Sequence, residues 1–176
     1  MKDDIARELL TYIRVIEDFP KPGISFKDIT TLISSPEGFA KTLDAFESLH
    51  QSDPPNVVAG IESRGFIFGA ALADRLNCGL VLIRKAGKLP AETYSASYAL
   101  EYGEATLELH TDAFEPGQKV LLIDDLLATG GTAAAAAGLI EKAGATVQSI
   151  DFVIELDFLK GREKLTNYQI NTLIHT

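Results

Sequence analysis

Two aspartates, two apolar residues and an Ala-Thr-Gly-Gly-Thr turn stand together at Asp124-Asp125-Leu126-Leu127-Ala128-Thr129-Gly130-Gly131-Thr132. Gly130 and Gly131 let the chain turn tightly with its amides exposed, and Thr129 and Thr132 add hydroxyl donors where a helix begins, so the turn suits a phosphate monoester. The two carboxylates repel a phosphate but accept hydrogen bonds from vicinal hydroxyls. A phosphate at one end and a diol at the other outline a ribose 5-phosphate. The spacing is neither the Walker A pattern nor the dinucleotide fingerprint. Taken singly, the same residues would cap a helix and close an ordinary βα turn; their combination at the end of a strand is what points to a site.

The neighbouring elements put them there. Val120 to Ile123 is an unbroken apolar run, the pattern of a strand covered on both faces in a parallel sheet, and Thr132 to Ala143 is strongly helix-forming with Gly144 as its stop. The turn therefore sits at the carboxyl end of a strand, where open α/β sheets bind ligands. The plan recurs upstream, where the apolar strand Val57 to Ile61 leads through Glu62-Ser63-Arg64-Gly65 into a helix over Phe66 to Leu76. A further buried strand, Leu80 to Ile83, ends at Arg84, Lys85 and Lys88. On their own, Arg64 reads equally as a solvated loop arginine and the cation cluster as a solvated turn.

Thr93 to Leu109 alternates polar and apolar residues on both sides of Glu101-Tyr102-Gly103-Glu104, as a β-hairpin arm would. Val147 to Glu155 reads as a fourth sheet strand and Ile170 to Ile174 as an edge strand. At the N-terminus, Ile5, Leu9, Tyr12, Ile13 and Ile16 recur at helical spacing after Asp3 and Asp4, and Ser35-Pro36 opens a second helix with Phe39, Leu43, Phe46 and Leu49 as its buried stripe. Between them, Ile24 to Ile29 alternates like a strand after Phe19-Pro20-Lys21-Pro22-Gly23. The expected fold is α/β, with a central, mostly parallel sheet flanked by helices.

A chain of 176 residues with 46% apolar content supplies one core, so a single domain over residues 1–176 is expected. No apolar run approaches membrane-spanning length and the N-terminus is charged, which predicts a soluble, cytoplasmic protein with no membrane partner. Cys78 is the only cysteine, so an intrachain disulfide is excluded, and no Cys/His cluster offers zinc ligands. A net charge of -9 disfavours nucleic acid as a partner. A polyanionic small substrate would then need local basic residues and a divalent cation.

The Asp124 to Thr132 stretch resembles the phosphoribosyl diphosphate (PRPP) motif of the type I phosphoribosyltransferases, and the resemblance spans the chain from Phe19 to Leu165. It implies the fold of that family, with a small N-terminal hood over about residues 19–30, a mobile β-hairpin loop over about 93–109, and a homodimer. It implies that Asp124 and Asp125 hold the ribose, that Ala128, Thr129, Gly130, Gly131 and Thr132 hold the 5′-phosphate, and that Ser63, Arg64, Arg84, Lys88 and Tyr102 face the diphosphate. The Ser63-Arg64 peptide is commonly cis in the family. Phe-Pro-x-Pro-Gly-x-x-Phe-x-Asp-Ile matches the hood of members acting on adenine, placing Ser25, Phe26, Lys27 and Leu126 around that base. Mg²⁺, held mainly by PRPP and by no protein ligand directly, is the implied cofactor. Members acting on 6-oxopurines carry an Asp where this chain has Ala128. Proton management at base N7 is thereby assigned to Glu101, matching the mobile-loop glutamate of the adenine members. Ala86 and Lys27 depart from some relatives. A phosphoribosyltransferase for another base, such as orotate, and a PRPP-binding regulator without catalysis remain open as alternatives.

Overall fold

The computed structural model describes residues 2–99 and 103–176. Seven strands form the main sheet, in the order β5-β6-β4-β3-β7-β8-β9. These are β3 (Val57–Ile61), β4 (Gly79–Lys85), β5 (Thr93–Ala99), β6 (Glu104–His110), β7 (Lys119–Leu127), β8 (Thr146–Glu155) and β9 (Ile170–His175). The five from β4 to β9 run parallel, whereas β6 is antiparallel to β4 and to β5. The expected hairpin over 93–109 is thus β5 and β6, hung on the end of β4 through Arg84 and Lys85.

Alternation along the central strands sends side chains to two apolar layers. Val57, Ala59, Val120, Leu122, Ile150 and Phe152 meet helix α5 (Gly131–Lys142) through Ala133, Ala136, Ala137 and Ile140. Val58, Leu121 and Ile123 face the other way, toward helices α1 (Lys2–Leu10), α3 (Pro36–His50) and α4 (Gly65–Arg75). The short helix α2 (Thr30–Ser34) adds Leu32 to that second layer. Each fully buried Leu, Ile or Phe contributes about 1.5–3 kcal/mol, which fixes the sheet and with it the strand ends. The alanine block serves close approach of α5 to the sheet; a larger residue at fully buried Ala136 or Ala137 would meet strand atoms.

The N-terminal segment departs from expectation. Helix α1 stops at Leu10, and Arg14–Ile16 is instead strand β1, paired antiparallel with β2 (Phe26–Asp28). The helical periodicity of Ile13 and Ile16 is overridden by long-range bonds: the Thr31 hydroxyl donates to the Tyr12 carbonyl at 2.6 Å and accepts the Arg14 N–H at 3.0 Å. Ile29, expected to end a strand, begins the turn into α2. Of this two-stranded sheet, β2 falls within the segment expected as the hood, about 19–30, and β1 falls before it.

Candidate active site

Strand β3 leads through α4 to β4 on one side, while β7, on its other side, leads through α5 to β8. The strand order therefore turns between β3 and β7, and a crevice opens there beyond their carboxyl ends. The segment after β3 carries Ser63 and Arg64, and the end of β7 carries Asp124 and Asp125.

Helix α4 enters this crevice so closely that Gly65 tolerates no side chain. A carbon there would lie 2.6 Å from the Ile123 carbonyl oxygen and 3.1 Å from Asp124 Oδ1. Arg64 is thereby set beside the acidic pair, and its Nε donates to Asp125 Oδ2 at 2.5 Å. Asp125 is buried while the Arg64 side chain is half exposed. Asp124 accepts the N–H of Asp125 at 2.9 Å. Burial, and then the neighbouring Asp125 charge, push the Asp124 carboxyl well above the usual carboxylate range.

The non-proline cis peptide is Glu62–Ser63, one bond earlier than the Ser63-Arg64 position expected from the family. Arg64 itself is in helical conformation as the cap of α4. The Ser63 and Arg64 carbonyls accept the N–H groups of Phe66 and Ile67 at 3.2 and 3.1 Å.

A small pocket of about 70 Å³ follows β7, lined by Asp124, Leu126, Ala128, Thr129, Thr132 and Phe152 among others. The pocket is the groove of the 128–132 turn at the start of α5, where Asp124, the two threonines and the helix N-terminus meet, while Asp125 does not line it. Gly130 has φ +78°, which favours glycine, and its carbonyl accepts the Ala134 N–H at 3.0 Å to begin the helix. Gly131 faces the last residues of β5: a side-chain carbon there would stand 3.5 Å from the Tyr98 ring and 3.6 Å from the Ala99 carbonyl. The hairpin therefore reaches the phosphate-type turn. Glu101 and Tyr102, the expected mobile-loop residues, lie outside the described residues.

Arg84 Nε donates to Glu62 Oε2 at 3.3 Å and its Nη1 donates to the Lys88 carbonyl at 3.3 Å. The Lys85 N–H reaches the same Glu62 oxygen at 3.0 Å. The Lys85 N–H first, and Arg84 with it, hold the Glu62 carboxyl below its ordinary range. Glu62 thus ties the end of β3 to the cations that end β4, a role the sequence did not signal beyond its place at a strand end. Lys88 is exposed.

In the hood, Ser25 is exposed while Phe26 and Lys27 are partly buried. The Phe26 ring belongs to neither apolar layer; Phe19 packs on it edge-on, with centroids 5.2 Å apart. Leu126 leaves the end of β7 toward the layer that holds Ile13 and Ile29. Asp28 anchors the hood by accepting from Arg14 and from the N–H and hydroxyl of Thr30 at 2.9 and 2.7 Å.

A cavity of about 480 Å³ lies elsewhere, between α1, α3 and β9. Its Lys41 ammonium is already on Glu8 at 2.6 Å, so no unpaired charge converges there. Among the described residues, Glu155, Asp157 and His175 come within reach of one ion, but Arg162 Nε already spans both Glu155 oxygens at 2.7 and 2.8 Å.

Residues 10–173 match the model of the phosphoribosyl transferase domain family. The adenine phosphoribosyltransferase of Chloroflexus aurantiacus is 57% identical over 96% of this chain and 97% of its own length. Among solved structures, the adenine phosphoribosyltransferase of Thermoanaerobacter pseudethanolicus superposes with a TM-score of 0.92 at 48% identity, covering 97% of this chain and 99% of that one. The Saccharomyces cerevisiae adenine phosphoribosyltransferase, solved with adenine and an imino-altritol bisphosphate, gives a TM-score of 0.92 at 43% identity with the same coverage.

Proposed function

The chain belongs to the phosphoribosyltransferase family, and we propose that it transfers the 5-phosphoribosyl group of PRPP to N9 of adenine, giving AMP and diphosphate in purine salvage. The Chloroflexus aurantiacus relative carries adenine phosphoribosyl transfer in its name at 57% identity over 97% of its length. Within the molecule, one observation supports the reading: Arg64 is paired with Asp125 across the β3/β7 junction, and Asp124 lines the same pocket as the 128–132 turn.

The residues divide the work as follows. Ala128, Thr129, Gly130, Gly131 and Thr132 take the 5′-phosphate at the start of α5. Asp124 and Asp125 accept from the 2′ and 3′ hydroxyls of the ribose. Ser63, Arg64, Arg84, Lys88 and Tyr102 face the diphosphate, with the two guanidiniums as forked donors. Phe26 stacks on adenine, the backbone at Ser25 and Lys27 reads its edge, and Leu126 packs beneath it. Displacement at the anomeric carbon breaks the bond to diphosphate as the bond to N9 forms, with oxocarbenium-like character. Holding both partners in line contributes several kcal/mol or more, about 7 in well-oriented cases. Adenine gives up its imidazole proton as the bond to N9 forms, and Glu101 accepts that proton at N7 and returns it there in the reverse direction, a task the methyl group of Ala128 cannot perform.

Magnesium fits this site as an ion carried by PRPP. The carboxylates at the junction already have partners in the chain, Asp125 on Arg64, Asp124 on the Asp125 N–H and Glu62 on Arg84, which leaves the diphosphate oxygens as the ligands. When bound, the ion would neutralise charge on the leaving group.

The working form is a homodimer. Strand β4 has no partner on its outer edge over residues 79–83 among the described residues, and Leu82 on that edge and Ile67 on neighbouring α4 are 38% and 40% exposed, a face that a second copy would cover. The cytoplasmic setting belongs to the same reading; no helix among the described residues is long and apolar enough to cross a membrane.

The test is product formation. Purified protein with PRPP and Mg²⁺ is given adenine, hypoxanthine, guanine, xanthine or orotate in parallel, and nucleotides are separated by chromatography. AMP from adenine alone is expected. Efficient conversion of a 6-oxopurine or of orotate overturns the base assignment, and PRPP binding with no nucleotide from any base revives the regulator.

A further inference from the structure

Behind the 128–132 turn, two backbones touch with no side chain between them. Gly161 opens a 3-10 turn, Gly161–Lys164. A carbon built on Gly161 would overlap the Ala128 carbonyl oxygen and stand 2.9 Å from Leu127 Cδ1 and 3.1 Å from the Gly130 nitrogen. The relation is reciprocal, since a carbon on Gly130 would overlap the Gly161 carbonyl oxygen and stand 3.1 Å from its carbonyl carbon. At this separation neither segment can change shape without moving the other.

The turn that carries Gly161 is itself held from below. Arg162 Nε donates to both oxygens of the Glu155 carboxylate, at 2.7 and 2.8 Å, and Arg162 Nη2 donates to the Thr172 hydroxyl at 3.0 Å. That hydroxyl in turn donates to Glu155 Oε2 at 2.9 Å. Glu155 is 3% exposed, at the end of β8, so the pair is fixed to the sheet. Leu165, just past the turn, is fully buried in the layer beneath α5. A continuous path runs from Glu155 at the end of β8 and Thr172 within β9, through Arg162 and Gly161, to the carbonyl of Ala128. A charge-assisted, forked contact is the kind that fixes orientation as well as distance.

We propose that Gly161 is a positioning residue for the 5′-phosphate: the missing side chain at 161, held in place by the Glu155–Arg162 pair, sets the shape of Ala128 to Gly130 and so the aim of the amides that receive the phosphate. The inference rests on the reading of residues 128–132 as the 5′-phosphate site. A methyl group at 161 displaces the Ala128 carbonyl while leaving the hood, and with it adenine, where it was. Selectivity for the phosphate-bearing ligand is therefore the signature, and loss of stability alone is not.

The experiment measures binding of AMP and of adenine by titration calorimetry, with steady-state KM for PRPP, on the full-length protein as purified. The variants are Gly161→Ala, Thr132→Val and Gly138→Ala; the side of Gly138 faces open space on α5 and serves as control. Gly161→Ala is expected to weaken AMP by about tenfold to a hundredfold, the scale of a displacement of about an ångström, and to raise KM for PRPP by a similar factor. Adenine binding stays at the wild-type value, and Gly138→Ala changes neither ligand. If Thr132→Val weakens AMP but Gly161→Ala does not, the interlock is overturned and the phosphate site stands. If Thr132→Val binds AMP as wild type does, the phosphate reading fails and the inference with it. Should Gly161→Ala not fold, Arg162→Lys carries the test, because one ammonium cannot span both Glu155 oxygens and Thr172; an unchanged ratio of AMP to adenine affinity in that variant, whatever its Tm, overturns the proposal.

Discussion

Arg64 Nε donates to Asp125 Oδ2 at 2.5 Å, joining the segments that follow β3 and end β7 across the crevice between them. The contact uses one residue from each of two sets that the family resemblance assigns to different parts of PRPP, Arg64 to the diphosphate and Asp125 to the ribose. A diphosphate oxygen and a carboxylate compete for the same guanidinium, so PRPP would exchange one anionic partner of Arg64 for another while a ribose hydroxyl takes up Asp125. The guanidinium is half exposed, which lets it turn, whereas Asp125 is buried and stays.

Arg64→Lys should separate these duties. An ammonium retains the charge but loses the planar fork, and a hydrogen bond to a charged group contributes about 1.5–3 kcal/mol. Steady-state kinetics are expected to give a KM for PRPP raised by about tenfold to a hundredfold with KM for adenine unchanged. An equal effect on both substrates would place Arg64 outside the diphosphate subsite.

Asp124→Asn should make the unliganded protein more stable and a poorer binder. Burial and the charge of Asp125 raise the Asp124 carboxyl well above its ordinary value of 3.8. A group whose pKa is higher folded than unfolded favours the native state below its unfolded pKa and loses that contribution as pH rises through the folded value. Ionised Asp124 is therefore a cost near neutrality. Thermal melts should show Asp124→Asn above wild type near neutral pH, with the gap closing as pH falls toward 3.8, while PRPP affinity drops by about tenfold or more. A variant less stable than wild type at neutral pH contradicts the burial argument.

How far these arrangements were legible depends on the range over which they are made. Strand β7, its glycine turn and α5 are written in contiguous residues, an apolar run, two glycines and an alanine block, and the structure places them within a residue or a few of expectation. Strand β1 was hidden because Ile13 and Ile16 continue the spacing of α1, and only Thr31, far along the chain, ends that helix by bonding Tyr12 and Arg14. The Arg64–Asp125 and Glu62–Arg84 pairs join residues 61 and 22 positions apart. Each partner could be suspected from its place at a strand end, but their pairing requires the order in which the strands lie. The closeness of Gly161 to Gly130 leaves no trace in either local pattern beyond a glycine.

Asp28 is the hood's anchor, and acid should reveal it. The Thr30 hydroxyl first, then Arg14 and the Thr30 N–H, hold its carboxyl down to about 2 from an ordinary 3.8. Its contribution is then complete above 3.8 and is lost as pH falls toward about 2. Asp28→Asn should remove that part of the acid-unfolding curve and raise KM for adenine by about tenfold, with KM for PRPP little changed. An unchanged KM for adenine would mean that the hood does not need this anchor to meet the base.

Glu101→Gln tests the proton assignment. Ala99, two residues before Glu101, has its carbonyl beside Gly131, so the strand that leads into the loop already lies against the start of α5. Ala128, on that same turn, cannot take up a proton, and Asp124 and Asp125 are engaged with each other and with Arg64. A carboxylate delivered from the hairpin is then the acceptor for the N7 proton. An amide keeps the size and a hydrogen-bond donor but cannot exchange a proton, so turnover should fall by about a hundredfold or more while KM for PRPP stays near wild type. The acidic limb of the pH profile for kcat should flatten with it. Turnover within a few-fold of wild type, with both limbs intact, would move the proton to another group and reduce Glu101 to a contact that closes the loop.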